Sequence, residues 1–181
     1  MDFISKRFFK DTQSRILTLG EITNENALYA ISEILEINKF DEKKKHKEPI
    51  ELILTSCGGL VYDGFGIIDA IKNSITPIHI TCYGLAMSMA LPILVSGHYR
   101  KMSQNSTLMY HEVAWDSGYE KLTNHKFGVK EGERLIKIFD SIIIDNTNIN
   151  KKQLDGIKRQ QKEWYIPPDE ALKLGIIDEI I

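Results

Sequence analysis

Gly84-Leu85-Ala86-Met87-Ser88-Met89-Ala90 sits at a junction between two kinds of pattern. Before it, Pro77 restarts the chain and Ile78 to Tyr83 reads as a strand; after Gly84, the apolar run Met87 to Val95 predicts a short helix. A serine placed where a strand ends and a helix begins has the geometry of a nucleophile elbow. Its hydroxyl is presented outward, and the free amides and dipole of the helix start favour negative charge developing on an attacked carbonyl. The same placement also suits a helix-capping serine, so Ser88 alone leaves both readings open.

Upstream, Ser56-Cys57-Gly58-Gly59 ends another strand, Ile50 to Thr55, and opens another helix, Tyr62 to Lys72, with Phe65, Ile68 and Ile71 on one side. Paired glycines let a backbone come close to a ligand, and amides there could supply an oxyanion hole. A plain strand-to-helix turn fits as well. A phosphate cradle does not, since both the Walker lysine and the dinucleotide-fold glycine spacing are missing. Downstream, His111 closes the apolar strand Thr107 to Tyr110, where a fold can hold an imidazole rigidly at the edge of a cleft. A structural histidine is the alternative at that position. His46 lies in a charged loop, His98 and His125 in polar surroundings, and His79 on a strand.

The remaining chain alternates strands and helices, which gives an α/β class and a single domain over residues 1–181. Arg15 to Leu19 reads as the first strand and Asn24 to Asn38 as a helix with Ala27, Leu28, Ile31, Ile34 and Leu35 on one face. Asp41 to Glu48 reads as a solvated loop whose lysines are diluted by acids. A brief strand is expected at Tyr99 to Met102. Helices follow at Glu131 to Asp145, using Leu135, Phe139, Ile142 and Ile143, then Lys151 to Gln161 and Pro168 to Leu174. Pro168 suits a first helical turn and Gly175 the left-handed residue that ends one. The least regular segment, Glu112 to Asn124, is a candidate mobile arm.

Composition narrows the function classes. The 181 residues are 43% apolar and 27% charged, enough for one substantial core. A net charge of -2 offers no general basic field for nucleic acid or anionic membrane. Apolar runs such as Leu85 to Val95 are shorter than the roughly 20 residues that span a bilayer, and no secretion signal follows Met1. Two cysteines, Cys57 and Cys82, are too few for a disulfide framework, so a reducing cytoplasm is the expected location. No His or Cys pair shows metal-ligand spacing, and neither a metal nor a cofactor is expected.

These features combine into a resemblance that runs nearly the full length. The chain resembles the proteolytic subunit of the Clp protease, the ClpP family. The family's Ser-Pro-Gly-Gly and Gly-x-Ala-Ala-Ser-Met-Gly segments look like Ser56 to Gly59 and Gly84 to Ala90, at undisturbed spacing. Its Met-Ile-His looks like Met109-Tyr110-His111. Its Asp-x-Phe, Glu-Ala and Gly-Leu-Ile-Asp segments resemble Glu163-Trp164-Tyr165, Glu170-Ala171 and Gly175-Ile176-Ile177-Asp178, and Phe3 to Lys10 resembles the lead-in to the first strand. The resemblance implies a ClpP/crotonase-like spiral of β-β-α units with a handle segment around residues 112–146. It implies Ser88 as nucleophile, His111 as general base, Glu163 as third triad member, and the amides of Gly59 and Met89 as oxyanion donors. It further implies unfolded polypeptide substrates, a homo-oligomer of two stacked seven-membered rings, and an AAA+ unfoldase of the ClpX or ClpA/ClpC kind.

Departures from the pattern mark where expectation is weakest. Glu163 stands in register with an aspartate and is one methylene longer; Asp155 and Asp169 are rival carboxylates. Met87 and Ala90 crowd the elbow, Cys57 replaces a stiffening proline, and the handle does not begin with glycines. The family's axial-loop segment is mostly missing ahead of the first helix, so unfoldase docking is expected to be weak or different. Competing classes are a catalytically silent ring subunit, an acyl-coenzyme A enzyme of the crotonase type, and a Ser-Lys peptidase.

Overall fold

The computed structural model describes residues 15–111, 122–160 and 162–181, with side chains in the helix that starts at Leu122 described from residue 127 onward. The lead-in Phe3 to Lys10 and most of the arm Glu112 to Asn124 lie outside the described residues.

Three adjacent parallel strands form one side of the sheet: β1 (Ile16–Leu19), β2 (Ile50–Ser56) and β3 (Ile78–Met87). Leu52, Leu54, Ile78 and Ile80 are wholly buried in them. Each such side chain contributes about 1.5–3 kcal/mol by leaving water. Helices α1 (Asn24–Asp41) and α2 (Val61–Lys72) pack on each other and bury Ala27, Ala30, Ile34, Ile67, Ile68 and Ile71. Thr23 caps α1, its hydroxyl accepting from the Asn26 amide at 3.2 Å.

Two expectations about α1 change. Leu28 and Leu35, placed on its apolar face, are more than half exposed. The helix also runs on to Asp41, which is fully buried instead of opening a solvated loop. Its carboxylate accepts from Arg15 Nη2 at 2.5 Å and from the Thr76 hydroxyl at 2.9 Å, and pairs with Lys44 at 3.0 Å. Two of these partners, Arg15 and Thr76, are distant in sequence, so local polarity misled.

Strand β3 is longer than its periodicity suggests because it bends and does not stop at Gly84. Gly84 takes φ +75°, and the register with β2 jumps from Leu54↔Cys82 to Ser56↔Ala86. A bulge of this kind turns a strand and re-aims its end. The first half of β3 therefore pairs with β4 (Tyr99–Met102), and its last residues, Leu85 to Met87, pair with β5 (Thr107–Tyr110). The helix α3 (Ala90–Val95), every residue of it buried, starts three residues later than expected.

Helices α4 (Leu122–Asn146) and α5 (Lys151–Arg159) come next. In α4, Leu135, Phe139, Ile142 and Ile143 are buried as their spacing predicts. Asn150 and Gln153 form a reciprocal capping box on α5. Two short strands escaped the sequence reading: β6 (Trp164–Ile166), antiparallel to β5, and β7 (Glu179–Ile180), parallel to β4. Between them lies α6 (Pro168–Lys173), after which Gly175 takes φ +66°. The fold is α/β on a largely parallel sheet, and among the described residues no helix is long and apolar enough to cross a membrane.

Candidate active site

The bend in β3 decides where its C-terminal end points, and Ser88 is the next residue. Ser88 has φ +51°, the only positive φ of a non-glycine residue among the described residues. L-residues avoid this region because Cβ crowds the backbone, at a cost of about 1–2 kcal/mol. The turn is held by the Ser88 amide donating to the Met109 carbonyl at 3.0 Å, and Met89 closes it ahead of α3. Ser88 is thus not a helix cap; it is the strained corner of an elbow.

β5 brings His111 to that corner. Met87 pairs with Met109, so His111, two residues beyond Met109, emerges beside Ser88. Its Nε2 lies 2.7 Å from Ser88 Oγ although the residues are 23 apart in sequence. Both side chains are half-buried. A hydroxyl that donates to Nε2 requires the tautomer carrying its proton on Nδ1, the arrangement a general base needs.

The glycine pair packs against the same corner. Ser56 Oγ accepts the Gly58 amide at 3.0 Å, and the Ile22 amide donates to the Gly58 carbonyl at 2.9 Å. With φ +106° and +145°, Gly58 and Gly59 occupy backbone open only to glycine. A Cβ on Gly58 would stand 2.7 Å from Ser88 Cβ and 3.1 Å from the Met89 amide nitrogen. On Gly59 it would stand 2.2 Å from the Ile22 carbonyl oxygen. Among the described residues, neither the Gly59 nor the Met89 amide donates to an acceptor. Gly58 was not singled out in the sequence as a site residue, because its role is to lie against a serine thirty positions away.

Glu163 is placed differently. β5 and β6 pair as Leu108↔Ile166, Met109↔Tyr165 and Tyr110↔Trp164. The ladder ends there, and Glu163 and His111 are the residues that flank its last pair. The carboxylate itself accepts from the Tyr165 hydroxyl at 2.6 Å, which holds that phenol's pKa above its ordinary value. Among the described residues, no hydrogen bond or ion pair joins Glu163 to His111. The rivals lie elsewhere: Asp155 is ion-paired with Lys151 and Lys158 on α5, and Asp169 sits in the first turn of α6.

A buried polar network braces β5 from behind. The Tyr110 hydroxyl donates to Asp140 Oδ1 at 2.7 Å, and Lys158 donates to Oδ2 of the same carboxylate. Strand, α4 and α5 are thereby joined one residue before His111. The other histidines are engaged locally: His79 with Glu51, His46 with Glu48, and His98 Nδ1 with the Ile78 amide. The side chain of His125 lies outside the described residues. Cys82 is buried, which pushes its thiol up to about 12, while Cys57 is exposed. Among the described residues, no group of three or more His, Cys, Asp or Glu could hold a metal ion.

Comparison with known proteins matches the chain to a family. The family model described as Clp protease covers residues 3–181. The chain belongs to the Clp protease family. It is 30% identical over 182 positions to the ATP-dependent Clp protease proteolytic subunit 2 of Synechococcus sp. (strain CC9605), covering 93% of this chain and 84% of that protein. It is 28% identical over 181 positions to the ATP-dependent Clp protease proteolytic subunit of Deinococcus radiodurans, covering 98% and 84%. A proteolytic subunit 1 of Prochlorococcus marinus subsp. pastoris is 28% identical over 173 positions, covering 93% and 84%.

Proposed function

We propose that this chain is a serine endopeptidase that hydrolyses peptide bonds of unfolded polypeptides through an acyl-enzyme on Ser88. The observation that carries the reading is the 2.7 Å contact between Ser88 Oγ and His111 Nε2 at a strained strand-to-helix corner. In this mechanism His111 takes the Ser88 proton as Oγ attacks the peptide carbonyl carbon. The carbonyl oxygen becomes an oxyanion held by the Gly59 and Met89 amides, donors worth on the order of 3 kcal/mol each in the barrier. Collapse breaks the C–N bond, and His111 returns the proton to the leaving amine. Water, deprotonated by His111, then attacks the ester and releases the new carboxylate and Ser88. Glu163, which like His111 flanks the last pair of the β5–β6 ladder, is the carboxylate proposed to orient the ring through Nδ1.

The names of the relatives, proteolytic subunits of an ATP-dependent protease, support work inside an oligomeric chamber. On this reading the chain forms stacked seven-membered rings in the cytoplasm, fed by an AAA+ unfoldase. The test is labelling by a fluorophosphonate and hydrolysis of a fluorogenic peptide, each with Ser88→Ala as control. Labelling and turnover confined to the wild-type serine are expected; turnover that survives Ser88→Ala would overturn the assignment. A second reading, a catalytically silent ring subunit, is favoured by one observation: among the described residues no hydrogen bond or ion pair joins Glu163 to His111. Assembled rings that take no label would select it.

A further inference from the structure

The proposed relay contains a glutamate where one more methylene must be controlled. A longer side chain has an extra torsion to freeze, and an unheld carboxylate orients an imidazole poorly. The structure supplies a holder. Tyr165 lies in β6 and Glu163 just ahead of it, two residues apart, the spacing that returns extended chain to the same face. The Tyr165 hydroxyl lies 2.6 Å from Glu163 Oε2, the short range of a hydrogen bond from a hydroxyl to an ionised carboxylate. The register pairs Met109 with Tyr165 and ends at Tyr110 with Trp164, and His111 and Glu163 are the next residues beyond that last pair. Paired residues in a ladder stand with Cβ atoms about 4.5–5.5 Å apart, so two groups that flank the last pair start close enough for side chains as long as an imidazole and a glutamate to meet. A carboxylate accepts at two oxygens, so Glu163 can keep the Tyr165 proton on Oε2 and take the His111 Nδ1–H on Oε1.

We propose that Tyr165 is a positioning residue for catalysis, acting through Glu163 on His111, so that hydroxyl and glutamate together do what a shorter carboxylate does alone. Tyr165 touches neither substrate nor the reacting atoms. Its ring is half exposed, and β6 is anchored independently by the buried Ile166 against Leu108, so removing the hydroxyl leaves the strand in place. The inference rests on the triad assignment proposed above.

The experiment is a double-mutant cycle on the assembled protein, following peptide hydrolysis. Tyr165→Phe is expected to lower kcat about fivefold with KM unchanged, the effect of one net hydrogen bond on a transition state. In the Glu163→Asp background the same Tyr165→Phe change should alter kcat less than about twofold, because the shorter side chain no longer reaches the hydroxyl. A second readout is independent of turnover: a downfield proton resonance from the His111 Nδ1–H, present in the parent and lost or shifted in Tyr165→Phe. An unchanged kcat and an unchanged resonance in Tyr165→Phe would overturn the inference, as would equal losses in both backgrounds. Ser88→Ala and His111→Ala separate the two levels of argument. If they abolish hydrolysis while Tyr165→Phe does nothing, only the role of Tyr165 falls; if hydrolysis survives them, the triad assignment falls as well.

Discussion

At the scale of single residues, the site is built from conformations that side chains normally avoid. Ser88 at φ +51° stores strain that a glycine would relieve. Ser88→Gly is therefore expected to be inactive yet more stable than Ser88→Ala by about 1 kcal/mol, measured by urea denaturation. The reverse order would show that the corner is unstrained. Gly58 makes the opposite demand. Its missing side chain is what lets the loop approach Ser88 Cβ, and a methyl there would stand at 2.7 Å. Gly58→Ala should lower kcat at least about tenfold and cost about 1–3 kcal/mol of stability, through both the contact and the positive φ.

At the scale of elements, β5 is the piece that must be held still, and four elements hold it. β3 pairs with it on one side, β6 on the other, and the Tyr110–Asp140–Lys158 network ties it to α4 and α5. Asp140 is nearly buried, so deleting its cationic partner strands a carboxylate with only a phenol for company. Lys158→Met is expected to destabilise by about 2–3 kcal/mol, and adding Asp140→Leu should restore much of that by removing the orphaned charge. Chemical denaturation of the two variants decides it: if the double variant is no more stable than the single, the charge was not the source. A second polar tie joins the first turn of α2, just past the glycine pair, to α4. Tyr62 donates to Glu131, which is also bound by Arg134; the Arg134 bonds first, then Tyr62, hold the Glu131 carboxyl at about 2.

At the scale of the whole molecule, Asp41 connects segments that no single element joins: Arg15 before β1, the end of α1, and Thr76 before β3. Burial on its own would raise this carboxyl, but hydrogen bonds from Arg15, Lys44 and Thr76 outweigh it and bring the pKa down from 3.8 to about 2. A folded-state pKa below the unfolded one means that the contribution is complete above about pH 4 and is lost as pH falls through 2. The urea midpoint of the wild type should drop across that window. Asp41→Asn should be less stable at neutral pH and show a flatter acid limb; an unchanged limb would assign acid sensitivity to other carboxylates.

Much of this was legible in the chain itself. Burial periodicity located β2, α2, β4 and β5, because each is a run whose spacing reports its own buried face. Ser88, His111 and the glycine pair stood out because each ends a strand. What was not legible came from partners remote in sequence. β6 is only three residues, Trp164–Ile166, ahead of Pro167, and it is a strand because β5 offers it a ladder. Asp41 reads as solvated until Arg15 and Thr76 are beside it, and Leu28 and Leu35 read as core until the packing of α1 turns them outward. The sequence by itself determined the α/β class, the family and which serine and histidine are candidates, since those depend on local pattern and motif spacing. Only the tertiary structure decided that Ser88 and His111 meet at 2.7 Å, that Gly58 touches the elbow, and that Glu163 is held by Tyr165. The bend of β3 at Gly84 and the antiparallel register of β5 with β6 bring distant residues within reach, and neither is written in any one segment.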